Sequence, residues 1–390
     1  MTSAHAQQKA EQLLDYQVPY FTFGRGLGIT SPDSAFTMNI RFRMQNRFGF
    51  NTESGTDLSV NEVEARVRRL RLRFDGYLYN PKLTYVLQLA FSRGDIDFED
   101  TGFPNIIRDA MVIYNFNTHF ALGIGQTKLP GNRQRVVSSG DLQLPDRSVV
   151  NATFNIDRDF GIQAYYRNNL AKLHYVLRGS VSNGDGRNFN DTQRGLAYTG
   201  RAELLPFGPF RNNGDYFEGD LEREPKPKVS VGITYSYNDN AQRTGGQLGK
   251  FLFEPRDLRT FMADVLLKYR GLAFASEFVN RNVKDPVTFD PQDPTLEQHA
   301  YDGHGENYQA SYLFRRDYEW VGRYSRVRPG EAIRDLEPYL QQLTVGATKY
   351  LRGHRVKLQT EITYETRQWL NRTQPNTDSW LWRFQIEAGI

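Results

Sequence analysis

Much of the chain consists of segments in which apolar and polar residues alternate. Residues 36–45, with the sequence FTMNIRFRMQ, are an example, because every second residue is apolar and two arginines lie between them. Successive side chains of an extended strand point to opposite faces, so this pattern predicts a strand with one apolar and one polar face. A soluble sandwich would bury the apolar face, whereas a membrane barrel would turn it toward lipid and leave the polar face in water.

The connections between these segments fall into two classes. Short turns rich in Asn, Gly and Pro are predicted at residues 80–81, 117–118, 168–169, 270–271, 316–317 and 352–353. Long loops are predicted near residues 47–61, 93–107, 130–159, 183–194, 239–258, 281–305, 327–338 and 367–379, and one connection that should be short, 206–228, is also long. Sixteen strands result, with short turns on one side and long loops on the other. This organisation predicts an all-β, sixteen-stranded antiparallel transmembrane β-barrel with periplasmic turns and outer loops.

The parity of the residues supports lipid-facing apolar positions in strand after strand. In five strands every second residue is apolar or aromatic with few exceptions, and we predict that these residues face outward. The five stretches run from Leu83 to Phe91, Val229 to Tyr237, Phe261 to Tyr269, Val356 to Tyr364 and Trp382 to Ile390. A soluble two-sheet protein can show such alternation in a few strands. Sixteen strands in series with alternating loop lengths favour a closed barrel instead.

The segment 62–80 is an exception to this parity. Glu64, Arg66 and Arg68 share the parity of Leu70 and Leu72, which should face lipid. Because about ten residues suffice to cross the membrane, the charged half can stand outside the hydrocarbon. A β-bulge near Arg68 would serve equally well, since one extra residue reverses the parity.

Composition agrees with a barrel and excludes other classes. The mean hydropathy is −0.63 and charged residues make up 24%, with no apolar run of the roughly 18 residues that a transmembrane helix needs. The 390 residues include no cysteine, and the net charge of +4 gives no indication of nucleic-acid binding. We expect residues 1–34 to form an N-terminal periplasmic segment, with the motif Ala4-His5-Ala6 resembling a signal-peptidase site, and residues 35–390 to form the barrel.

Several stretches together resemble one known family. RRLRLRFDGYLYNPKLTYVLQ, GIGQTKLP, DRSVVNATFNIDRDFGIQ, SNGDGRN and GRAELLPFGPF occur in the order found in the phosphate-selective porin O and P family. The resemblance implies an outer-membrane porin of a Gram-negative-type bacterium, usually a homotrimer embedded in outer-membrane lipid, with a lumenal arginine ladder and an inward-folded constriction loop. On this sequence the ladder would include Arg69, Arg71 and Arg73, and the loop would be 130–159. The loop has no lysine, although the best-known members line their phosphate site with lysines.

The charges on the inward parity point to anion transport. Basic residues outnumber acidic ones there, and a channel with a basic lining favours anions. They include Arg41, Arg43, Arg69, Arg71, Arg73, Arg178, Arg201, Lys228, Lys268, Arg270 and Arg383. The first five cluster on two neighbouring strands, where guanidinium groups could pass a phosphate-like anion from one to the next. The alternative is that these arginines pair with Asp75, Glu277 or Glu361 and only stiffen the barrel.

The predicted constriction loop carries charges of both signs. Arg133, Arg135, Arg147 and Arg158 are matched by Asp141, Asp146, Asp157 and Asp159. The four arginines join the ladder arginines as predicted anion-binding residues. Opposite charges across the narrowest point would also suit a general, weakly selective pore, and a barrel subunit of a larger outer-membrane assembly remains a further alternative.

Other motifs carry less information. The stretch 299–306 places His299, Asp302, His304 and Glu306 close together in an outer loop, where they could hold a divalent cation, although solvated acidic loops usually bind nothing specific. No G-x-S-x-G elbow is present, and we predict neither catalytic residues nor a cofactor nor a metal site.

Overall fold

The structure, a computed structural model, describes residues 20–22, 26–95, 105–171, 173–189, 195–371 and 374–390. Two short strands, β1 (Tyr20–Thr22) and β2 (Gly26–Thr30), precede the barrel. None of the helices in these ranges is both long and apolar enough to cross a membrane.

Sixteen antiparallel strands form a closed barrel, as predicted. They are β3 (Thr37–Thr52), β4 (Val60–Tyr77), β5 (Leu83–Ala90), β6 (Ile107–Asn115), β7 (Phe120–Lys128), β8 (Arg158–Leu170), β9 (Leu173–Ser182), β10 (Ala197–Leu205), β11 (Lys228–Arg243), β12 (Phe251–Tyr269), β13 (Leu272–Val283), β16 (Gly303–Leu313), β17 (Tyr318–Pro329), β18 (Tyr339–Arg352), β19 (Val356–Gln368) and β20 (Thr377–Gly389). Each strand pairs with the next, and β20 pairs with β3 to close the barrel. The small hairpin of β14 (Val287–Phe289) and β15 (Glu297–His299) lies in an outer loop.

The two faces of the strands are assigned as predicted. In β11, Ile233 on the outward parity is 51% exposed, whereas its neighbour Thr234 is fully buried. Buried positions elsewhere in the barrel are also polar, among them Lys357, Gln359 and Glu361 of β19. An apolar exterior around a polar interior is the arrangement of a protein whose outer solvent is lipid.

A β-bulge resolves the exception in segment 62–80. Gln45 pairs with Arg69 and Asn46 pairs with Val67, so Arg68 has no partner across β3. The extra residue reverses the parity above it, which exposes Val63 and Val67 on the outside. Glu64, Arg66 and Arg68 therefore do not need to stand outside the hydrocarbon, because they lie on the lumenal parity.

The ends of several strands differ from the predicted ones. The predicted loops 47–61 and 239–258 are too long, because β3 continues to Thr52 and β11 and β12 extend to Arg243 and from Phe251. The extensions of β11 and β12 alternate less clearly, so the sequence pattern does not reveal the strands there, whereas Phe48 and Phe50 of β3 do continue the apolar outward parity. Much of the predicted loop 93–107 lies outside the described residues.

The loop 130–159 folds into the lumen, as predicted. It contains two short helices, α1 (Arg133–Val136) and α2 (Val149–Phe154), and Nζ of the buried Lys357 donates hydrogen bonds to the carbonyl oxygens of Gly140 and Leu142. Val150 and Phe154 of α2 pack with Met262, Val279 and Val327. These three wall residues are apolar although they lie inside the barrel, and the loop covers them.

The long connection on the short-turn side also folds inward. It spans 206–227 once β11 begins, and it contains a 3₁₀ segment, Arg211–Tyr216. Phe210 packs with Leu205 and Leu266, a second apolar patch on the inner wall.

Strand β2 completes the edge of β3 at the periplasmic rim. β20 pairs with β3 between Arg43 and Asn51, and β2 pairs with Thr37 to Ile40 on the stretch that β20 leaves open. Residues 1–19 and 23–25 of the predicted N-terminal segment 1–34 lie outside the described residues, so the boundary at residue 35 stays a prediction.

Candidate functional site

The arginines of the first two barrel strands lie directly opposite one another. Arg41 pairs in register with Arg73, and Arg43 pairs with Arg71. Like charges at directly opposed positions repel, so this arrangement needs acidic partners or bound anions to offset the repulsion. The structure places an acidic group within 4 Å of each of the five predicted ladder arginines, but the arginines differ in burial, and some of them also face a cavity.

The outer part of this row is buried and paired. Arg69 donates a hydrogen bond to Oε1 of Gln45 over 2.8 Å, and Nε of Arg71 lies 2.6 Å from Oδ2 of Asp95. Burial alone would raise the pKa of Asp95, but Arg71 and Arg108 hold that pKa well below its usual range. These contacts hold Asp95, just after β5, against the wall and leave Arg69 little access to solute.

The inner part of the row is more open. The exposed fractions of the side chains of Arg41, Arg43 and Arg73 are 24%, 14% and 38%. Asp75 is paired with Arg41 and with Arg73, the latter over 3.0 Å, so one carboxylate serves two guanidinium groups. Arg43 donates a hydrogen bond to Oγ of Ser139 over 2.8 Å, and its Nε lies 3.8 Å from the buried Glu387, so two carboxylates serve three guanidinium groups. Positive charge on this stretch is therefore only partly neutralised.

These arginines line a cavity of about 230 Å³ near the periplasmic end of the lumen. Its charged lining residues are five arginines and one aspartate, Arg41, Arg43, Arg71, Arg73, Arg355 and Asp141. Its other polar lining residues are Ser138 and Gln88. The cavity brings together four of the five predicted ladder residues. Several guanidinium groups around one small volume can donate paired hydrogen bonds to the oxygens of a phosphate-like anion.

Arg355 was missed in the sequence. It follows the predicted short turn at residues 352–353, where the alternation that assigns side chains to faces has ended. A basic residue beside a periplasmic turn is the available signal, because such turns border the mouth of the lumen. Ser138 and Asp141 come from the loop 130–159, whose position in the lumen was predicted but whose contacts were not.

The four loop arginines do not line this cavity. Arg133 lies against the opposite wall, where its Nε is 2.9 Å from Oδ1 of Asp264. Arg135 pairs with Asp157, and Nε of Arg158 lies 2.9 Å from Oδ1 of Asp109. In these positions the arginines hold the loop, so their predicted role in binding anions stays a prediction.

Arg147 differs from the other three because it binds carbonyl oxygens. It donates hydrogen bonds to the backbone of Gln134 and Val137. Burial lowers the pKa of Arg147 to about 10, and the neighbouring Glu218 opposes this shift. The guanidinium therefore stays protonated at neutral pH and contributes positive charge beside the loop.

Asp146 of the loop is surrounded by arginines of the wall. Its carboxylate lies 3.5 Å from Arg68, 3.5 Å from Arg69 and 3.7 Å from Arg383, and it also accepts a hydrogen bond from the buried Arg47. We call Asp146 and these four arginines the Asp146 cluster. Charge complementarity thus docks two parts of the loop on different walls, with Asp146 on the basic wall and Arg133 on the acidic wall.

A larger cavity of about 770 Å³ lies above the Asp146 cluster, at the outer ends of β3, β4, β19 and β20. We call it the outer vestibule. Its charged lining residues include five acids, Glu53, Glu62, Glu64, Glu365 and Asp378, and three arginines, Arg66, Arg367 and Arg383. Acidic groups therefore outnumber basic ones at the outer end, in contrast to the arginine cavity.

The remaining basic residues of the inward parity have structural contacts. The guanidinium of Arg178 lies 4.8 Å from the ring centroid of Tyr216, and Arg201 pairs with Glu203 and Asp264. Lys228 and Lys268 donate to backbone carbonyls, Arg270 lies over the ring of Tyr269, and Arg383 pairs with Glu361. Of the three acids proposed as structural partners, Asp75 and Glu361 bind arginines, whereas Glu277 accepts hydrogen bonds from the loop residues Asn132 and Gln134.

The residues of the stretch 299–306 are occupied by other contacts. Nε2 of His299 lies 3.1 Å from Glu337, Asp302 accepts the backbone N–H of Val283, and Glu306 pairs with Arg326. Within the described ranges no group of three or more His, Asp or Glu residues is arranged to hold a metal ion.

Comparison with known proteins gives both sequence and structural relatives. An uncharacterised protein of Aquifex aeolicus is 23% identical, covering 82% of this chain and 80% of that protein. The anion-selective porin from Comamonas acidovorans has a TM-score of 0.55 at 12% identity, covering 90% of this chain and all of that one. The trimer form of the outer-membrane protein OmpT of Vibrio cholerae has a TM-score of 0.53 at 10% identity, covering 90% and 99%.

The structural likenesses show a shared porin fold. The family described as "Phosphate-selective porin O and P" matches residues 38–313, well over half of the chain. That range contains the ladder strands, the loop 130–159 and most of the barrel. The chain is an outer-membrane porin channel and belongs to the phosphate-selective porin O and P family.

Proposed function

We propose that the chain is a passive diffusion channel of a Gram-negative-type outer membrane that favours small anions, with phosphate or other oxyanions as the preferred class. The observation that carries this proposal is the cavity of about 230 Å³ lined by five arginines and one aspartate. Positive charge in a channel with low-dielectric walls concentrates anions and repels cations. No catalytic step and no cofactor are needed for this function.

The geometry of the arginine pairs gives a reason for preferring oxyanions. Arg41 opposes Arg73 and Arg43 opposes Arg71, so each pair presents two guanidinium groups to the same side. A tetrahedral oxyanion can accept from both groups at once and relieve their mutual repulsion, whereas a chloride ion offers no separate oxygens to the two planar donors. The pairs lie at successive depths, so an anion can exchange one pair for the next.

We further propose that the protein forms a homotrimer in outer-membrane lipid. The family resemblance supports this assembly, and so does the fold that the chain shares with OmpT of Vibrio cholerae, whose structure is a trimer form. The large exposed apolar side chains of the barrel exterior are suited to contact with lipid or with neighbouring barrels.

Reversal potentials in planar bilayers test the selectivity. Replacing Arg41, Arg43 and Arg73 together by glutamine should lower the anion-to-cation permeability ratio severalfold in dilute salt, where screening is weak. Block of chloride current by added phosphate should be lost in the same variant. These three arginines are the more open ones, so the change leaves the pairing of Arg69 and Arg71 in place.

The matched control removes the same amount of charge elsewhere. Lys82, Lys226 and Arg315 are exposed residues at the periplasmic side, and replacing them by glutamine should leave the reversal potential near that of the wild type. If both triple variants shift the reversal potential equally, overall charge and not the arginine cavity sets the selectivity.

The outer vestibule favours a second candidate, a general and weakly selective porin. Its five acids and three arginines would lower the anion concentration at the outer mouth. A wild-type reversal potential near zero in a tenfold salt gradient, together with the absence of phosphate block, would support this second function over the first.

A further inference from the structure

The long periplasmic connection, residues 206–227, is a second segment that occupies the lumen. We call it the plug segment. It begins at the end of β10 and ends at the start of β11, two neighbouring strands that a tight turn could join. More than twenty residues between adjacent strands therefore do something other than reverse the chain direction.

Wall residues from several strands hold the plug segment inside the barrel. Nζ of Lys268 donates to the carbonyl oxygens of Gly214 and Phe217 over 2.6 and 2.8 Å, and the ammonium group lies 4.0 Å from the ring centroid of Phe217. The hydroxyl of Tyr216 donates to Glu203 of β10 over 2.6 Å. Lys268 was predicted to attract anions, but here it binds the backbone of the plug segment.

The plug segment also closes against the short turns on the far side of the mouth. Asp220 accepts the backbone N–H of Gly271 over 2.7 Å, in the turn between β12 and β13. Arg223 donates to the carbonyl oxygens of Leu313 and Phe314, between β16 and β17. Nε2 of His354 lies 3.0 Å from the carbonyl oxygen of Glu218, in the turn between β18 and β19.

Glu218 joins the plug segment to the constriction loop in the centre of the lumen. Its carboxylate accepts the backbone N–H of Gln143 over 2.9 Å and the side-chain amides of Gln134 and Gln309 over 3.4 and 3.1 Å. The backbone N–H of Glu218 donates to the carbonyl oxygen of Asp141 over 2.9 Å. The side chain of Glu218 thus contacts both the constriction loop and the barrel wall, while its backbone belongs to the plug segment.

The close approach leaves no room for another side chain at the next position. Gly219 has a φ of 72°, and a Cβ there would lie 2.9 Å from both carboxylate oxygens of Glu319. Only glycine adopts this backbone conformation without strain and permits this contact.

Three open volumes below the outer vestibule lie away from the plug segment. The arginine cavity is bordered by β3, β4 and β5, and two cavities of about 310 and 180 Å³ share Tyr165 and Arg178 of β8 and β9 as lining residues. On the side of β10 to β19, the plug segment and the constriction loop meet and fill the lumen.

We propose that residues 206–227 close one side of the lumen from the periplasm and that Glu218 is the positioning residue that sets the open cross-section. The plug segment thereby confines permeating ions to the side lined by the arginine cavity. This inference rests on the channel activity of the proposed function and does not depend on its preference for anions.

Single-channel conductance of the full chain in concentrated KCl tests the proposal. We expect replacement of residues 211–222 by a Gly-Ser sequence of equal length to raise the conductance about twofold, because the cross-section widens. Glu218→Ala should raise it by a smaller factor, and Glu218→Gln should stay nearer to the wild type since it keeps one acceptor oxygen. Unchanged conductance in the Gly-Ser variant and in Glu218→Ala would overturn the proposal.

A matched control lies in the same segment. Glu222 has the same side chain, and its carboxylate accepts a hydrogen bond from Asn212 of the plug segment itself over 2.8 Å, so Glu222→Ala should leave the conductance unchanged. Heat-modifiable migration in gels shows whether each variant forms a folded barrel. If the Gly-Ser variant fails to fold, Glu218→Ala against Glu222→Ala decides the question alone.

Polymer exclusion separates a wider pore from a merely less stable one. Polyethylene glycol of graded size, added on the periplasmic side, should enter the Gly-Ser variant at sizes that the wild type excludes, and equal exclusion would contradict the proposal. If the variants change the conductance but the wild type shows no preference for anions, the proposed selectivity is wrong and the proposed role of the plug segment stands. If the wild type prefers anions but the variants leave the conductance unchanged, the role of the plug segment is wrong and the selectivity stands.

Discussion

The outer vestibule and the arginine cavity are built on the same strands, yet they carry opposite surpluses of charge. The vestibule has five acids against three arginines, whereas the cavity has five arginines against one aspartate. Between them lies the Asp146 cluster, in which one loop carboxylate is surrounded by four wall arginines. A count of charges along β3 and β4 would average these regions together and miss the change of sign.

The difference lies in how the arginines are used. Arg69 is buried and paired beneath the loop, while Arg73 is 38% exposed in its side chain. A guanidinium that is already paired stabilises the folded loop, and one that is partly open can exchange its partner for a solute. The row of arginines therefore has a structural half and a half that faces the pore.

The largest effect is expected from disrupting the Asp146 cluster, which lies between the outer vestibule and the arginine cavity. Asp146→Ala leaves four arginines without their shared carboxylate, and losing a partner of the buried Arg47 costs at most about 3–5 kcal/mol, less the part that Glu64 still offsets from 3.6 Å. The loop should lose its attachment to the β3–β4 wall, so conductance and the anion-to-cation ratio should both rise in planar bilayers.

Asp141→Asn is the matched change for this prediction. It removes the same charge from the same loop, but Asp141 lines the arginine cavity and lies outside the Asp146 cluster. It should raise the anion preference without raising the conductance. If both variants behave alike, the loop is not held by Asp146 and the charge alone matters.

A smaller effect is expected from the arginine that the turn contributes. Arg355→Gln removes one of five guanidinium groups from the cavity, which should lower the anion-to-cation ratio about twofold in dilute salt. Reversal potentials at low and high salt measure it. An effect that persists unchanged in 1 M salt would contradict a screened electrostatic origin.

The smallest effect is expected in the outer vestibule. Glu53→Gln combined with Glu62→Gln removes two exposed carboxylates, whose influence salt screens within about 10 Å at 0.1 M. The anion-to-cation ratio should rise by less than about twofold, and only when the outer side is dilute. A rise in this ratio larger in magnitude than the fall caused by Arg355→Gln would make the vestibule the main selectivity filter.

Most of the fold could be predicted because one physical rule repeats along the chain. Alternation with a period of two assigns each side chain to lipid or lumen, and it placed Ile233 outside and Thr234 inside from their neighbours alone. The rule does not apply where the chain turns. It therefore missed Arg355, which follows a turn, and it lost the outer ends of β11 and β12, where the alternation weakens.

The pairing of charges could not be predicted from the same rule. Arg47 meets Asp146 across 99 residues of sequence, and parity says only that a residue faces the lumen, not what it contacts there. One signal was available for the inward-folded segments. Met262 and Leu266 of β12 are apolar on the lumenal parity, and such residues need a cover, which the loop and the plug segment provide.

The bulge at Arg68 has a consequence for the dimensions of the pore. Across the bulge, the positions of β4 that face lipid change from even-numbered to odd-numbered residues. The strand therefore cannot slide by one residue along β3 without placing charged side chains in hydrocarbon. In a closed barrel the stagger of the strands and their number together determine the diameter. One additional residue in β4 thus locks the stagger between the first two barrel strands, and with it the diameter of the wall inside which the loop and the plug segment are packed.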